Sequence, residues 1–389
     1  MDELAALATR LTSRGRAAGL DAVGIAPAAP FSDTLTTLVE RKAAGLHGDM
    51  AFTYRNPKRS TDPSSSVSGA RSLVVGARSY RRTAVDPDEN AGEPRPRGRV
   101  ARYSWSDHYG PLRAALEAMA VDLRTAGWVA VVVADDNALV DREAAFRAGL
   151  GWYGKNTMLL LHGHGSEFVL GSVITDAPLP PTRDPATAGQ TPARAAEDGC
   201  GPCVRCLPAC PTGALVEPGV LDARRCLAWL VQARGVFPVE HRIALGRRIY
   251  GCDECQDVCP PNRLEIRRRP PPPAEAADEA EVDLLDIIEE RDDDVLLERY
   301  GRWYIADRQA RHLRRNAIIA LGNVGSGTDP RVGAALAACL ADPDPLIRGH
   351  AVWTAGRLGR RDLTEAMAET ETDPQVRAEL GAVPSARTS

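Results

Sequence analysis

A chain of 389 residues with 44% hydrophobic and 26% charged side chains has room for two or three domains with ordinary cores and does not have the composition of a disordered protein. Its formal net charge of −4 provides no overall attraction to a polyanion, so any nucleic-acid partner must be held by a local basic patch. No apolar stretch reaches the roughly 18 residues of a membrane span, and the N-terminus mixes Asp2 and Glu3 with Arg10, Arg14 and Arg16, so a cytoplasmic protein without membrane contact is expected.

Residues 1–180 alternate helical and extended patterns. Leu4, Leu7, Ala8 and Leu11 recur at helical spacing, residues 21–27 (DAVGIAP) read as a strand, and Leu73–Ala77 as another. An amphipathic stretch over Leu112–Leu123 precedes Trp128–Ala134, a β-branched run expected to be a buried strand, and Phe168–Thr175 is a further strand. The expected class is α+β, with an α/β-type first domain, and the polar, Pro-rich loop 81–99 is excluded from its core. Residues 181–198 form a Pro/Ala-rich connector, 199–266 a cysteine-rich domain, and 267–283 a Pro-rich, then acidic, linker. From 284 to 389 the pattern is all-helical and repeats: Arg314, Ala317, Gly322 and Gly325 recur as Arg348, Ala351, Gly356 and Gly359 at a constant offset. Asp-Pro pairs at 329–330, 342–343, 344–345 and 373–374 are read as helix starts, and the unit as a HEAT-like repeat.

Eight of the nine cysteines lie between Cys200 and Cys259, and in a reducing compartment such crowding signals metal rather than disulfides; Cys339 stands apart as a small buried hydrophobe. Cys200, Cys203, Cys206 and Cys210-Pro211 have the C-x2-C-x2-C-x3-C-P spacing of bacterial 4Fe–4S ferredoxins. Cys252, Cys255 and Cys259-Pro260 form a second run, with Cys226 as its remaining member. In two-cluster ferredoxins the last cysteine of each run ligates the other cluster. Cluster one is therefore assigned Cys200, Cys203, Cys206 and Cys259, and cluster two Cys226, Cys252, Cys255 and Cys210. Structural zinc would leave both Cys-Pro endings unexplained. Two clusters relay single electrons, and more than 300 further residues imply an acceptor site that does chemistry.

Gly149–Thr157 (GLGWYGKNT) approximates nucleotide-binding motifs, but those require a strand immediately before the glycines, and Asp141–Ala148 reads as a short helix. The glycines are read instead as permitting close approach to a large flat cofactor or a bend around it. Upstream, the run Trp128–Ala134 ends in Asp135, Asp136 and Asn137, followed by Asp141. A carboxyl there would suit proton donation if desolvation raised its pKa, whereas Asp136 or Asn137 could equally cap a helix.

The ordered set Asp21–Pro27, Gly69–Val75, Arg147–Leu160, Gly165–Gly171, both cysteine runs with Arg248–Gln256, and Arg315–Asn323 resembles the epoxyqueuosine reductase family over nearly the whole chain. The resemblance implies a cobalamin-binding domain, a two-cluster ferredoxin-like insert and a helical repeat region. It implies reduction of epoxyqueuosine to queuosine at the wobble position of tRNA, with the clusters recharging cobalamin and an aspartate protonating the leaving oxygen. Ungapped matching from RAGLG puts that acid on Asp135. The implied cobalamin contacts are Tyr103, Asp135, Lys155 and Asn156. Implied partners are a tRNA with a queuosine-type anticodon and an external donor such as a flavodoxin or ferredoxin, the protein itself being a monomer.

This chain departs from the family pattern at Asp136, which rivals Asp135, at Asp107-His108-Tyr109, and after Cys226. Two alternatives therefore stand beside the leading one: a cobalamin and iron–sulfur reductase of another substrate, and an electron-transfer or interaction protein. Arg263 with Arg267–Arg269, Arg311, Arg314, Arg315, Arg348, Arg357, Arg360 and Arg361 are either RNA contacts or solvated helix faces. His108, His162 and His164 are read as surface or loop residues rather than cobalt ligands.

Overall fold

The computed structural model describes residues 2–83, 95–183, 199–276, 278–365 and 367–382. Most of the 181–198 connector lies outside them. Two compact units emerge, each assembled from separate stretches of chain: Met1–Thr83, Ser106–Cys226 and Asp253–Ala274 form one, and Ala84–Trp105, Leu227–Cys252 and Glu275–Ser389 the other.

The first unit is organised by a four-stranded sheet. Helix α1 (Asp2–Ala17) leads to β1 (Ala22–Pro27), then α2 (Ser32–Ala43) and β2 (Ser72–Ser79). Helix α3 (Tyr109–Thr125), β3 (Ala130–Val133), α4 (Asp141–Arg147), a hairpin of β4 (Gly151–Tyr153) and β5 (Leu159–Leu161), and β6 (Phe168–Thr175) follow. The order is β1-β2-β6-β3, and every pairing is antiparallel. All eight residues of β6 are buried, as its mostly apolar composition implies, Ser172 and Thr175 included. Gly76 of β2 pairs with Gly171 of β6. A Cβ on Gly171 would come within 2.7 Å of both Ala134 and Leu116, so this pair of glycines lets α3 settle close onto the sheet. The opposite face carries a core of Phe31, Leu73, Val75, Phe146, Leu159 and Leu170.

Trp128–Ala134 departs from expectation. Its strand is the sheet edge, with β6 its sole partner among the described residues, and Val129 is 51% and Val131 37% exposed. A β-branched run fits an edge as well as a centre when one face alone is covered.

In the second unit the strand Arg97–Val100 lies between Arg248–Tyr250, parallel to it, and Glu281–Asp283, antiparallel. The end of the loop placed outside the core is thus a central strand. Its arginines escape burial by pairing outward: Arg95 Nε lies 2.7 Å from Asp283 and Arg97 Nε 3.5 Å from Glu281, while Gly98 and Val100 face inward. Residues 84–94 of that loop lie outside the described set.

The helices Arg311–Val324, Pro330–Leu340, Pro345–Arg357 and Pro374–Ala382 form the repeat region. Asp329 and Asp344 cap two of them, each with proline in the first turn, and Asp373 accepts from the backbone N–H groups of Gln375 and Val376. The pair 342–343 starts no helix; Asp342 accepts the Asp344 N–H instead. Gly322 allows Trp353 and Thr354 to approach, which accounts for its recurrence in the repeat.

Arg315 is fully buried and is not a surface cation. Its guanidinium donates to the carbonyls of Leu230, Val231, Ala233 and Gly235 and to Asn316 Oδ1. Burial, reinforced by Arg242 and Arg311, pulls its pKa down to about 9. Arg314 is likewise buried against Asp293, and Arg348 is paired with Glu371, so three of the arginines considered for RNA are spent inside this unit. Arg315→Ala would orphan several buried carbonyls and should cost on the order of 3 kcal/mol, and Arg315→Lys should restore little because an ammonium cannot reproduce the planar fork. Urea unfolding of the two variants checks this; an unchanged midpoint for Arg315→Ala would contradict the clamp.

Candidate functional site: a thiol set and an acidic strand end

The first cysteine run wraps a short turn, Cys206–Ala209, and the helix Pro260–Arg268 starts directly after Cys259. The predicted proline thus sits at a helix start, where no N–H is needed. Burial pushes the Cys259 thiol up to about 12, and the thiols of Cys200, Cys206 and Cys203 add to the rise. Cys206 is raised by burial and, further down, by Cys200 and Cys203. These four side chains therefore sit close enough to feel one another's charge, and they are the set assigned to cluster one. Among the described residues no three His, Cys, Asp or Glu side chains converge tightly enough for a single ion. A tetrahedral zinc would bring its sulfurs within about 4 Å of each other, whereas a cubane holds its four thiolates around a larger body. An iron–sulfur core also provides the positive charge that would relieve thiolate repulsion.

Cys210 behaves differently. Burial works to raise its pKa, but hydrogen bonds from Thr212, Ala214 and Leu215 prevail and lower it; the Ala214 N–H lies 3.2 Å from its sulfur. Cys226, Cys252 and Cys255, assigned with it to cluster two, are half-buried.

A buried polar lattice within the first unit supports these loops, and sequence reasoning missed it. Gln256 Oε1 accepts from Tyr80 Oη at 3.1 Å and from Ser166 Oγ at 2.9 Å. Asn262 Oδ1 accepts the Ser166 N–H at 2.7 Å, and Asn262 Nδ2 donates to the Gln256 carbonyl at 2.9 Å. A Cβ on Gly165 would fall 2.1 Å from Asn262 Oδ1, so glycine is required there for contact as well as for its φ of 81°. Arg81 bridges Glu167 at 3.1 Å and Glu265 at 3.6 Å. The available signal was the polar Gln256 and Asn262 standing close after Cys255 and Cys259, and Ser166 within GSEF.

Lys155 and Asn156 serve the same loops. Lys155 Nζ donates to the Gly201 carbonyl at 2.6 Å and Asn156 Nδ2 to the Cys255 carbonyl at 3.3 Å, both residues being buried. The Gly149–Thr157 segment follows α4 and runs into the β4–β5 hairpin, so a helix and not a strand precedes its first glycine. Tyr103 belongs to the second unit, where its hydroxyl accepts from Gln232 Nε2 at 3.3 Å and its ring packs near Tyr250.

The acidic group forms where β3 leaves the sheet. Asp135 adopts φ 51°, a left-handed conformation uncommon for a residue with a side chain. Arg113, on α3, donates to the Ala134 carbonyl at 2.7 Å and pins the strand end. Asp135 reaches solvent, but the protein around its carboxyl raises its pKa; Arg113 opposes the rise and Asp136 adds to it. Asp136 accepts the Ala138 N–H at 2.8 Å, the Asx-turn geometry of a structural residue. Asp141, at the start of α4, is raised well above the carboxylate range by burial and then by Asp135. Tyr109 stays protonated because burial, then Asp135 and Asp141, raise its pKa. Arg113, Ala114, Glu117, Val132, Val133, Ala134 and Asp136 line a groove of about 450 Å³ beside this group. His162 is exposed and rests near Trp152, but His108 is buried near the Tyr80 ring, contrary to its reading as a surface or loop residue.

Residues 199–262 match the 4Fe-4S double cluster binding domain, and residues 303–383 match HEAT repeats, as the helical spacing implied. An epoxyqueuosine reductase of Bacillus anthracis is 33% identical over 372 residues, covering 93% of this chain and 92% of the relative. That of Bacillus subtilis is 32% identical over 391 residues, covering 96% and 94%. Among solved structures, an epoxyqueuosine reductase with a tRNA-Tyr epoxyqueuosine-modified stem loop superposes with a TM-score of 0.83 at 28% identity, covering 98% of both chains. A Bacillus subtilis structure whose catalytic aspartate loop is swung out of the active site gives the same values. No helix among the described residues is long and apolar enough to cross a membrane. With two curated relatives above 30% identity along nearly its whole length, the chain belongs to the epoxyqueuosine reductase family of oxidoreductases.

Proposed function

We propose that this chain reduces epoxyqueuosine to queuosine in tRNA, with two 4Fe–4S clusters supplying electrons to a bound cobalamin and Asp135 supplying the proton. The observation that carries the reading is the strained, pKa-raised carboxyl of Asp135 beside a neutral Tyr109, in the unit that also gathers the thiols of Cys200, Cys203, Cys206 and Cys259. The relatives' shared activity supports it, as do the tRNA stem loop in one solved relative and the catalytic aspartate loop, swung out of the active site, in another.

Turning an epoxide into an alkene consumes two electrons and two protons and releases water. Bound cobalamin would contribute a strongly reducing centre for that step. Val132, Val133 and Ala134 give the groove an apolar wall beside the charged Arg113, Glu117 and Asp136, and Tyr109 and a protonated Asp135, next to this lining, would offer uncharged donors to the amide-bearing rim of a corrinoid. Asp135 and Tyr109 would hold it, while Lys155 and Asn156 hold the cluster loops.

Asp135 donates to the leaving oxygen. Its raised pKa keeps more of it protonated than an ordinary aspartate at the same pH. Arg113 fixes the strand end that aims it, and Asp136 maintains the turn. Asp141, raised well above the carboxylate range by burial and then by the Asp135 charge, lies beside it as a second protonated carboxyl.

Anaerobic incubation of the cluster-loaded, cobalamin-supplied protein with epoxyqueuosine-containing tRNA and a strong reductant should yield queuosine by nucleoside mass spectrometry; epoxide left unconsumed would overturn the assignment. Asp135→Asn should lower the single-turnover rate by about 10²–10⁴-fold, and Asp136→Asn by no more than severalfold. Because the acid acts protonated, the wild-type rate should fall as pH rises through the raised Asp135 pKa, and the same limb should persist in Asp136→Asn. A limb lost in Asp136→Asn but kept in Asp135→Asn would transfer the acid role to Asp136.

A further inference from the structure

Cluster one has a surface that the proposed reaction leaves unused. Pro202, Cys203, Val204, Arg205, Pro208 and Pro260 line an open groove of about 480 Å³. Its floor is apolar, and Val204 is 46% exposed. Cys203 brings a thiol of cluster one to the groove wall.

Charge around the groove is mainly positive, although Glu254 and Asp257 stand on a short helix packed against Cys206–Ala209. Residues 199–210 and 259–269 contain Arg205, Arg263, Arg267, Arg268 and Arg269 and a single carboxylate, Glu265, which is buried, on a chain whose net charge is negative. Within the helix Pro260–Arg268, positions three, four and seven after Pro260 share its face, which places Arg263, Leu264 and Arg267 in line with the groove. Arg263, Arg267 and Arg268 are exposed, and Leu264 is 48% exposed; Asn262 and Glu265 occupy the opposite, buried face.

We propose that this groove is the docking site of a small acidic flavoprotein that delivers electrons to cluster one. The inference rests on the cluster reading above and names the partner of that site. An apolar floor of prolines and a valine accepts the exposed edge of an aromatic ring system, and the arginine rim steers and registers an acidic partner. A nucleic-acid backbone would use the arginines but leave the apolar floor against water. Each encounter moves one electron: the flavin is oxidised by one, the cluster reduced by one, and no bond is made or broken. Two encounters supply one epoxide.

Binding of an acidic flavodoxin to the full chain with clusters loaded is measured by biolayer interferometry at low and high salt, beside iron content and the rate of cluster reduction by dithionite. Saturable binding that weakens with salt is expected. The double variants Val204→Glu/Arg205→Glu and Arg263→Glu/Arg267→Glu should each bind at least tenfold more weakly, with iron content and dithionite reduction unchanged. Absent binding to wild type, or unchanged affinity in both variants, overturns the proposal. So does a loss of affinity for an anticodon stem-loop RNA in the variants while flavodoxin binding persists, which would make this an RNA surface. Failure of the underlying cluster reading shows separately, as a wild-type chain that takes up no iron.

Discussion

Four thiols gathered close together, of which Cys206 and Cys259 are raised in pKa by burial and then by their neighbours, are the constraint on which the rest of the first unit depends. Cys200, Cys203, Cys206 and Cys259 come from two distant stretches of chain, and bringing them together as thiolates is unfavourable unless a cationic core sits among them. The fold must therefore hold two loops in place by means other than the thiols. Lys155 and Asn156 secure one carbonyl in each cysteine run, and the Tyr80–Gln256–Ser166–Asn262 lattice fixes the second run against the sheet domain. Each of these polar groups is buried and partnered, which makes the lattice specific in geometry as well as stabilising.

The same sheet positions the proposed acid, Asp135. Strand β3 lies at the edge, where the chain can leave the plane, bend through a left-handed residue and present a carboxyl next to a groove. An edge strand costs stability and risks unwanted pairing; here it supplies the freedom that a central strand would deny. Arg113 from α3 and the Asx turn of Asp136 limit that freedom to one arrangement.

Much of this was legible from residue patterns, and the limits of legibility follow from physics. Cysteine spacing encodes cluster topology because the ligands must converge from a tight turn, so the C-x2-C-x2-C run and its Cys-Pro ending can be read directly. Strand β6 was readable because burial on both faces favours a mostly apolar, β-branched run, here interrupted only by Gly171 and Ser172. The edge position of Trp128–Ala134 was not, since β-branched composition does not report how many neighbours a strand has. The strand Arg97–Val100 hid within a polar loop because its arginines point outward to carboxylates nearly 190 residues away in sequence. Arg315 looked like a surface cation for the same reason: what neutralises it is a set of backbone carbonyls, and backbone leaves no mark in composition. The different settings of Asp135 and Asp136 were not legible either, since two adjacent carboxylates look alike in sequence until one accepts a backbone N–H.

The central claim, that the two cysteine runs exchange their last ligands, is tested most directly by electron paramagnetic resonance of the reduced protein carrying single Cys→Ser substitutions. Cys206→Ser and Cys259→Ser should perturb the same cluster signal, and Cys210→Ser and Cys255→Ser the other. If Cys259→Ser instead perturbed the signal altered by Cys255→Ser, each run would close its own cluster and the crossed arrangement would be wrong.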